Sequence, residues 1–399
     1  MNMKALVLTT TLPSISKQTG ADIALKSFIN AIQENGYAVT LVGYLRKNEE
    51  SFEQPPEYIS VGTCYVEMRE AKLYPLIWLV KSFIKGLPFT TARYYSSRYI
   101  EAIRHLLDQS TYDLIFIDHS YQLGWLEPSV RDQSNIITIA HNVEYEVYRD
   151  RTKDANNFAI RWIYQRETRL VKELEDKLVK NVRQVWALTE YDSKYFINLV
   201  GADKVKVLGL YPSLGALPDE TIEKQFDIGM IGSWIWKPNG DGLRWFFHNV
   251  YPQLPPELTI QVAGRGAEWL HNKYPNVLYQ NFVPDAKQFM AQAKVIAIPS
   301  ISGGGIQIKT LDSIGLGLSI VATPFALRGI DNPPSTVKVA ERAEEFAKAL
   351  ISMVECPPSP SNNDAMKWSH ARRAKFISDI NDVMNQLSMS KEEDITYAN

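Results

Sequence analysis

Two successive series of short, near-continuous apolar runs, separated by longer amphipathic stretches, constrain this chain more than any other feature. The first comprises KALVLTT (Lys4–Thr10), AVTLVG (Ala38–Gly43), DLIFID (Asp113–Asp118), NIITIA (Asn135–Ala140) and VWALT (Val185–Thr189). The second comprises DIGMIG (Asp227–Gly232), LTIQVAG (Leu258–Gly264), VIAIPS (Val295–Ser300), SIVATP (Ser319–Pro324) and TVKVA (Thr336–Ala340). Apolar strands alternating with helices predict parallel sheets covered on both faces. Two such series predict an α/β chain of two Rossmann-like domains, residues 1–208 and 209–363, facing across a cleft. Helices are expected over Ala21–Glu34, stopped at Gly36, and over Ile160–Arg183, where Ile163, Leu170, Leu174 and Leu178 form an apolar stripe. A last helix over about 364–387 is expected to pack back on the first domain. Prolines and glycines mark Leu210–Glu220 as a linker and Cys356–Asn363 as a second break. The polar tail Ser388–Asn399 reads as loosely ordered.

A length of 399 residues suits two domains, and a formal charge of −2 gives no general reason to expect nucleic-acid binding. Cys64 and Cys356 stand in no metal-ligand spacing, so neither a metal site nor a disulfide framework is expected, and a reducing, cytoplasmic setting is. The amino terminus lacks the features of a signal peptide. No segment has the ~18–20 uninterrupted apolar residues of a membrane span. Leu73–Leu87 (LYPLIWLVKSFIKGL), broken by Lys81 and Lys85 and followed by Arg93 and Arg98, reads in two ways. It is a helix packed on its domain, or an amphipathic element making peripheral contact with the inner face of a cell membrane.

Open α/β sheets bind ligands beyond the carboxyl ends of their strands. After Ser300 come Gly303, Gly304 and Gly305, then a helix opening near Ile306 and Gln307, with Lys309 in its first turn and Asp312 one turn on. Glycines and a helix start present backbone amides to an anion, Lys309 would neutralise a diphosphate, and Asp312 would accept from ribose hydroxyls. Ser233, after another strand, could donate to phosphate, and Asn239 could cap the next helix. Lys237 faces ligand or solvent. Arg265 lies on the same side as the glycine loop, or is a surface residue.

The strings IGSWIWKPNGDGLRWFFHNVYPQL, IQVAGRGAEW, GGGIQIKTLD and VATPFALRGI make the second half resemble the donor domain of retaining GT-B glycosyltransferases. These belong to the large family 4 type, the bacterial group 1 glycosyltransferases. The first half is similar more diffusely, through TGADIALKSF, IDHSYQLGW, IAHNVEYEVYRDR and ALTEYDSKYF, and least over Val42–Arg98. The resemblance implies that Lys309 is the donor-phosphate lysine. Asp312 stands where a ribose-binding glutamate is usual, and Gly304 where a sugar-contacting glutamate often stands. It places His119, after DLIFID, near the transferred sugar. His141, Asn142 and Glu144 would line the acceptor side, although Asn142 also suits a helix cap. Gly20 and Asp22 would admit or touch the acceptor, or Asp22 is simply a first-turn acid.

The implied activity is metal-independent transfer, with retention, from a nucleotide diphosphate sugar (UDP- or GDP-linked) to an acceptor hydroxyl, with no cofactor. The acceptor would be a glycan or lipid-linked, in bacterial surface polysaccharide or glycolipid synthesis. Two other readings stand beside it: a sugar-nucleotide 2-epimerase and a non-catalytic subunit that binds a partner transferase. A phosphorylase-like enzyme would be far longer and carry a pyridoxal lysine.

Overall fold

The computed structural model describes residues 3–14, 19–49, 54–66, 71, 73–131, 133, 135–155, 157–213, 222–357 and 362–397. Residues 214–221 of the expected linker, 358–361 of the second break and the last two of the tail lie outside the described residues. The chain divides into two units, Met1–Leu208 with Ile377–Asn399, and Gly209–Phe376.

The first unit runs β1 (Met3–Thr11), α1 (Gly20–Glu34), β2 (Tyr37–Arg46), β3 (Tyr58–Cys64), α2 (Tyr74–Lys85), α3 (Phe89–Tyr94), α4 (Ser97–Gln109) and β4 (Leu114–Asp118). It continues through α5 (Ser120–Leu123), α6 (Glu127–Val130), β5 (Ile136–Ala140), α7 (Glu144–Asp154), α8 (Phe158–Asn181), β6 (Gln184–Ala187), α9 (Glu190–Val200) and β7 (Val205–Val207). Its seven strands pair in the order β3-β2-β1-β4-β5-β6-β7, all parallel. Every residue of β4 and β5 is buried, as strands covered on both faces require. The order reverses between β1 and β4, the switch point where such sheets open a crevice.

The second unit contains β8 (Phe226–Ile231), α10 (Lys237–Trp245), β9 (Ile260–Ala263), β10 (Val277–Gln280), α11 (Ala286–Gln292), β11 (Ala293–Ile298) and α12 (Ile308–Gly315). It continues with β12 (Ile320–Ala322), β13 (Val337–Val339), α13 (Ala343–Glu355) and the start of α14 (Asn362–Tyr397), whose second half belongs to the first unit. Its six parallel strands pair as β10-β9-β8-β11-β12-β13, with the switch point between β8 and β11.

Three details differ from the sequence reading. The buried line of α8 is Glu167, Val171, Glu175 and Leu178, while Ile163 is exposed. The two glutamates are buried because each accepts from a helix start: Glu167 from the Phe89 N–H (2.7 Å), Glu175 from the Ser120 hydroxyl (2.9 Å) and the Tyr145 N–H (3.3 Å). The polar tail continues α14 as helix to Tyr397. The described part of the linker is packed rather than loose: Leu210 is buried, and its carbonyl accepts from Arg372.

Candidate active site

In the second unit, three strand ends meet around Lys309. Gly264, just past β9, adopts φ +109°, and a β-carbon there would lie 1.9 Å from the carbonyl oxygen of Gly232, just past β8. Only glycine permits that approach. The indole N–H of Trp234 donates to the Ala263 carbonyl (2.9 Å), and its backbone N–H donates to that of Arg265 (2.8 Å). Beyond β11, the Ser300 hydroxyl donates to Gln307 Oε1 (2.9 Å) and Arg328 donates to the Gly303 carbonyl (3.3 Å), pinning both ends of the glycine loop. Gly303, at φ +120°, turns the chain against Trp236 and Pro238. Gly304, Gly305 and Ile306 complete the loop, and the helix opens at Ile308, two residues later than Ile306.

Lys309 lies in the first turn of that helix, half-buried, its Nζ 5.5 Å from the Trp234 ring centre and 3.1 Å from Asn239 Oδ1. No carboxylate pairs with it among the described residues. Burial alone pushes its ammonium down to about 8. A desolvated cation held by one neutral amide, at a helix start where N–H groups lack intrahelical partners, is an arrangement that an anion would complete.

The other expected donor residues separate. Ser233 is exposed beside Lys309's neighbour Asn239, whose Nδ2 donates to the Ser233 carbonyl (3.0 Å). Lys237 is exposed, and its ammonium pairs with Asp241 one turn along α10 (2.5 Å). Arg265 is exposed at the end of β9. Asn239 is not a cap, because α10 begins at Lys237; it joins the β8–α10 loop to Lys309 instead. Asp312 lies one turn further along the helix. It is 7% exposed, and its carboxylate accepts from the N–H (2.7 Å) and hydroxyl (2.9 Å) of Ser213. It anchors the described end of the linker, so the ribose contact meets a carboxylate already engaged.

In the first unit, the switch point gathers Asp118, His119 and His141. Asp118 ends β4 and is 1% exposed. It accepts from the Thr9 hydroxyl (2.9 Å) and from His141 Nε2 (2.6 Å), with His119 Nε2 3.6 Å away. The two imidazoles stack at 4.3 Å. Burial pushes the Asp118 carboxyl up, but the two histidines and Thr9 outweigh it and hold it below its ordinary value. Burial pushes His119 down to about 4 despite Asp118, so its ring is neutral near pH 7. His119 also holds φ +63°, a strained conformation for a residue with a side chain. These three residues place candidate ligand atoms within 4.8 Å of one another. The 2.6 Å Asp118–His141 separation is a hydrogen bond, since two ligands each ~2.1 Å from one metal sit ~3 Å or more apart. As it stands, the group is a hydrogen-bonded carboxylate–imidazole pair with a second imidazole stacked on it.

Asn142 and Glu144 follow. Asn142 Oδ1 is buried without a hydrogen-bond partner, an acceptor waiting for a donor. Burial raises the Glu144 carboxyl to about 7. Gly20 opens α1. Asp22 is 3% exposed, forms a capping box with Thr19 and pairs with Arg46 (2.8 Å), the first-turn acid of the two expected alternatives. Sequence reasoning missed Asp118, the strand residue directly before His119, and the link that Asn239 makes to Lys309.

The two sheets and their strand orders define the GT-B class of fold. Within it, residues 225–356 match the family described as "Glycosyl transferases group 1", so the second unit carries a group 1 glycosyltransferase domain. The chain is 21% identical over 371 residues to a Klebsiella pneumoniae protein described as an uncharacterized 44.6 kDa protein in the cps region, covering 88% of this chain and 90% of that one. Among solved structures, it resembles sucrose-phosphate synthase from Thermosynechococcus elongatus, with TM-score 0.67, 14% identity, 97% of this chain covered and 100% of the other. It also resembles Anabaena Alr3699/HepE in complex with UDP-glucose, with TM-score 0.58, 14% identity, 98% of this chain covered and 100% of the other. No described helix is long and apolar enough to cross a membrane.

Proposed function

We propose that this chain transfers a sugar, with retention, from a nucleotide diphosphate sugar to an acceptor hydroxyl in surface polysaccharide or glycolipid synthesis. The observation that carries this is Lys309: a half-buried ammonium, without a carboxylate partner among the described residues, at a helix start next to a glycine loop. The bond between the sugar and the diphosphate breaks as the acceptor oxygen bonds on the same face, and the acceptor's proton passes to the departing phosphate oxygen. Lys309 and the loop amides stabilise the charge that grows on the diphosphate, the kind of fixed electrostatic aid that costs no reorganisation. In this reading they supply the charge a divalent cation would otherwise supply. His119, neutral and fixed at the switch point, meets the sugar. Asp118 accepts from His141 Nε2, which fixes the orientation of that ring toward the acceptor side. Asn142 Oδ1 offers a second acceptor. The structure in complex with UDP-glucose and the cps-region relative are consistent with a nucleotide sugar donor and a glycan pathway.

One observation favours the partner-subunit reading: Ser213 occupies the carboxylate that would hold a ribose. A thermal-shift panel of UDP-, GDP-, ADP- and TDP-sugars separates the two. A bound donor at ~100 times its dissociation constant adds ~2.7 kcal/mol of stability. Stabilisation by one nucleotide class supports the transferase; none by any class favours the subunit.

A further inference from the structure

Away from the histidine pair, β2, β3, α2 and α3 enclose a cavity of about 590 Å³ in the first unit. Lys47, Lys81, Lys85 and Arg93 line it, and no carboxylate does among the described residues. The Arg93 guanidinium lies against Trp78 (5.1 Å) and Tyr94 (5.3 Å), and its Nε and Nη2 are buried without a hydrogen-bond partner. Lys81 Nζ donates to the Tyr95 carbonyl (3.0 Å), and Lys85 Nζ sits 5.3 Å from the Tyr95 ring centre. Buried guanidinium donors without acceptors are costly, and Lys81, Lys85 and Arg93, which meet no carboxylate among the described lining residues, repel one another. A multiply charged oxyanion in the cavity offsets the repulsion among Lys81, Lys85 and Arg93, and phosphate accepts from ammonium and guanidinium groups alike.

The wall of this cavity is also the outer surface of α2. Trp78 and Ser82 are that helix's buried side chains, whereas Leu76, Ile77, Val80, Phe83 and Ile84 are all exposed, Ile84 by 75%. Ile77 belongs to both places, lining the cavity and facing outward. Next to it, Arg166 of α8 donates to Ser82 (3.1 Å) and covers the Phe83 ring (4.3 Å), so the start of α8 continues the face with exposed Phe158, Trp162 and Ile163. An apolar surface of this kind, rimmed by cations, matches the interior of one leaflet below its anionic headgroups.

We infer that the Lys81–Lys85–Arg93 cavity binds the phosphate of a membrane amphiphile whose hydrocarbon lies on the exposed face of α2. This rests on the transferase reading and names its acceptor class: a phosphate-bearing lipid, held by its phosphate. The lipid is the source of the phosphate, because cavity and apolar face share α2.

The test is co-sedimentation of the full chain with phosphatidylcholine vesicles carrying either phosphatidic acid or, at matched surface potential, phosphatidylserine. The phosphomonoester should be preferred several-fold, and inorganic pyrophosphate should compete. Lys81→Met and Lys85→Glu should weaken phosphatidic-acid binding by about fivefold per charge removed and abolish the preference. Ile84→Asp, on an exposed position, should abolish binding to both vesicles. Equal binding to both lipids, or none to either, overturns the inference. So does pyrophosphate binding, measured by calorimetry, with no vesicle binding, since the cavity would then serve a soluble phosphate. UDP-glucose calorimetry on the same preparation keeps the two readings apart. Donor binding without vesicle binding refutes the lipid site alone, and vesicle binding without binding of any UDP- or GDP-sugar refutes the transferase alone.

Discussion

A lysine that neutralises a bound diphosphate must bind it more weakly once it loses its proton. Lys309 titrates at about 8 in the free protein instead of its ordinary 10.5. A diphosphate within reach restores the charged form, so the bound pKa lies above the free one and donor binding takes up a proton in between. Full restoration spans ~2.5 pKa units, a ceiling of ~300-fold in affinity. From about pH 7 to about pH 9 the free lysine falls from ~90% to ~10% charged, and donor affinity falls about tenfold. Calorimetry with UDP-glucose at the two pH values measures this. Both phosphates of that ligand are diesters without a proton to lose in the window, and Lys309→Met reports any titration of the base. The variant should bind weakly at both pH values with a flat profile. Its free form should be as stable as the parent or more so, because the desolvation cost of the ammonium goes with it. A parent affinity equal at both pH values, or a variant with the parent's slope, refutes the assignment.

Gly264→Ala places a methyl in the Gly232 carbonyl and forces a side chain to φ +109°; thermal unfolding should show a loss of at least ~2 kcal/mol, and a neutral result would mean the strand ends are not in contact. Asp312→Asn should cost ~1.5–3 kcal/mol of stability through its Ser213 bonds while donor affinity changes little; calorimetry showing the reverse ranking would reinstate the ribose contact. Burial, aided by Glu144, raises the Glu175 carboxyl to about 8 from 4.5, so its contribution to stability is present below about pH 4.5 and lost as pH rises through about 8. Glu175→Gln should therefore flatten the fall in Tm over that window, and an unchanged fall would place the titration elsewhere.

The two sheets were legible because their central strands are nearly all apolar, a pattern that burial on both faces dictates. The strands that escaped are β3, β7 and β10, three of the four edge strands; the fourth, β13, was legible in TVKVA. With one side open, they carry mixed residues, as in VKV of β7, where Val205 is buried and Lys206 and Val207 are half-buried. The apolar stripe of α8 misled for a different reason. Glu167 and Glu175 are buried by hydrogen bonds to residues 78 and 55 positions away, which periodicity does not register. The same limit shaped the site. Lys309 and His119 follow from strand-end position, a local signal. The pairing of Asp22 with Arg46 and of Asp312 with Ser213, and the place of Asn239 beside Lys309, depend on partners that only the folded chain brings close.

The central claim is that this chain cleaves a nucleotide sugar using the charge of Lys309, and nucleoside diphosphate release tests it most directly. Release should be followed with a panel of UDP- and GDP-sugars, with and without EDTA, for the parent and Lys309→Met. The account predicts release from at least one donor, undiminished by EDTA. In the variant, release should be slowed by a factor equivalent to ~2.7–4 kcal/mol, the size seen when one charge-stabilising group is removed. No release from any donor by the folded parent, or equal release by parent and variant, would contradict it.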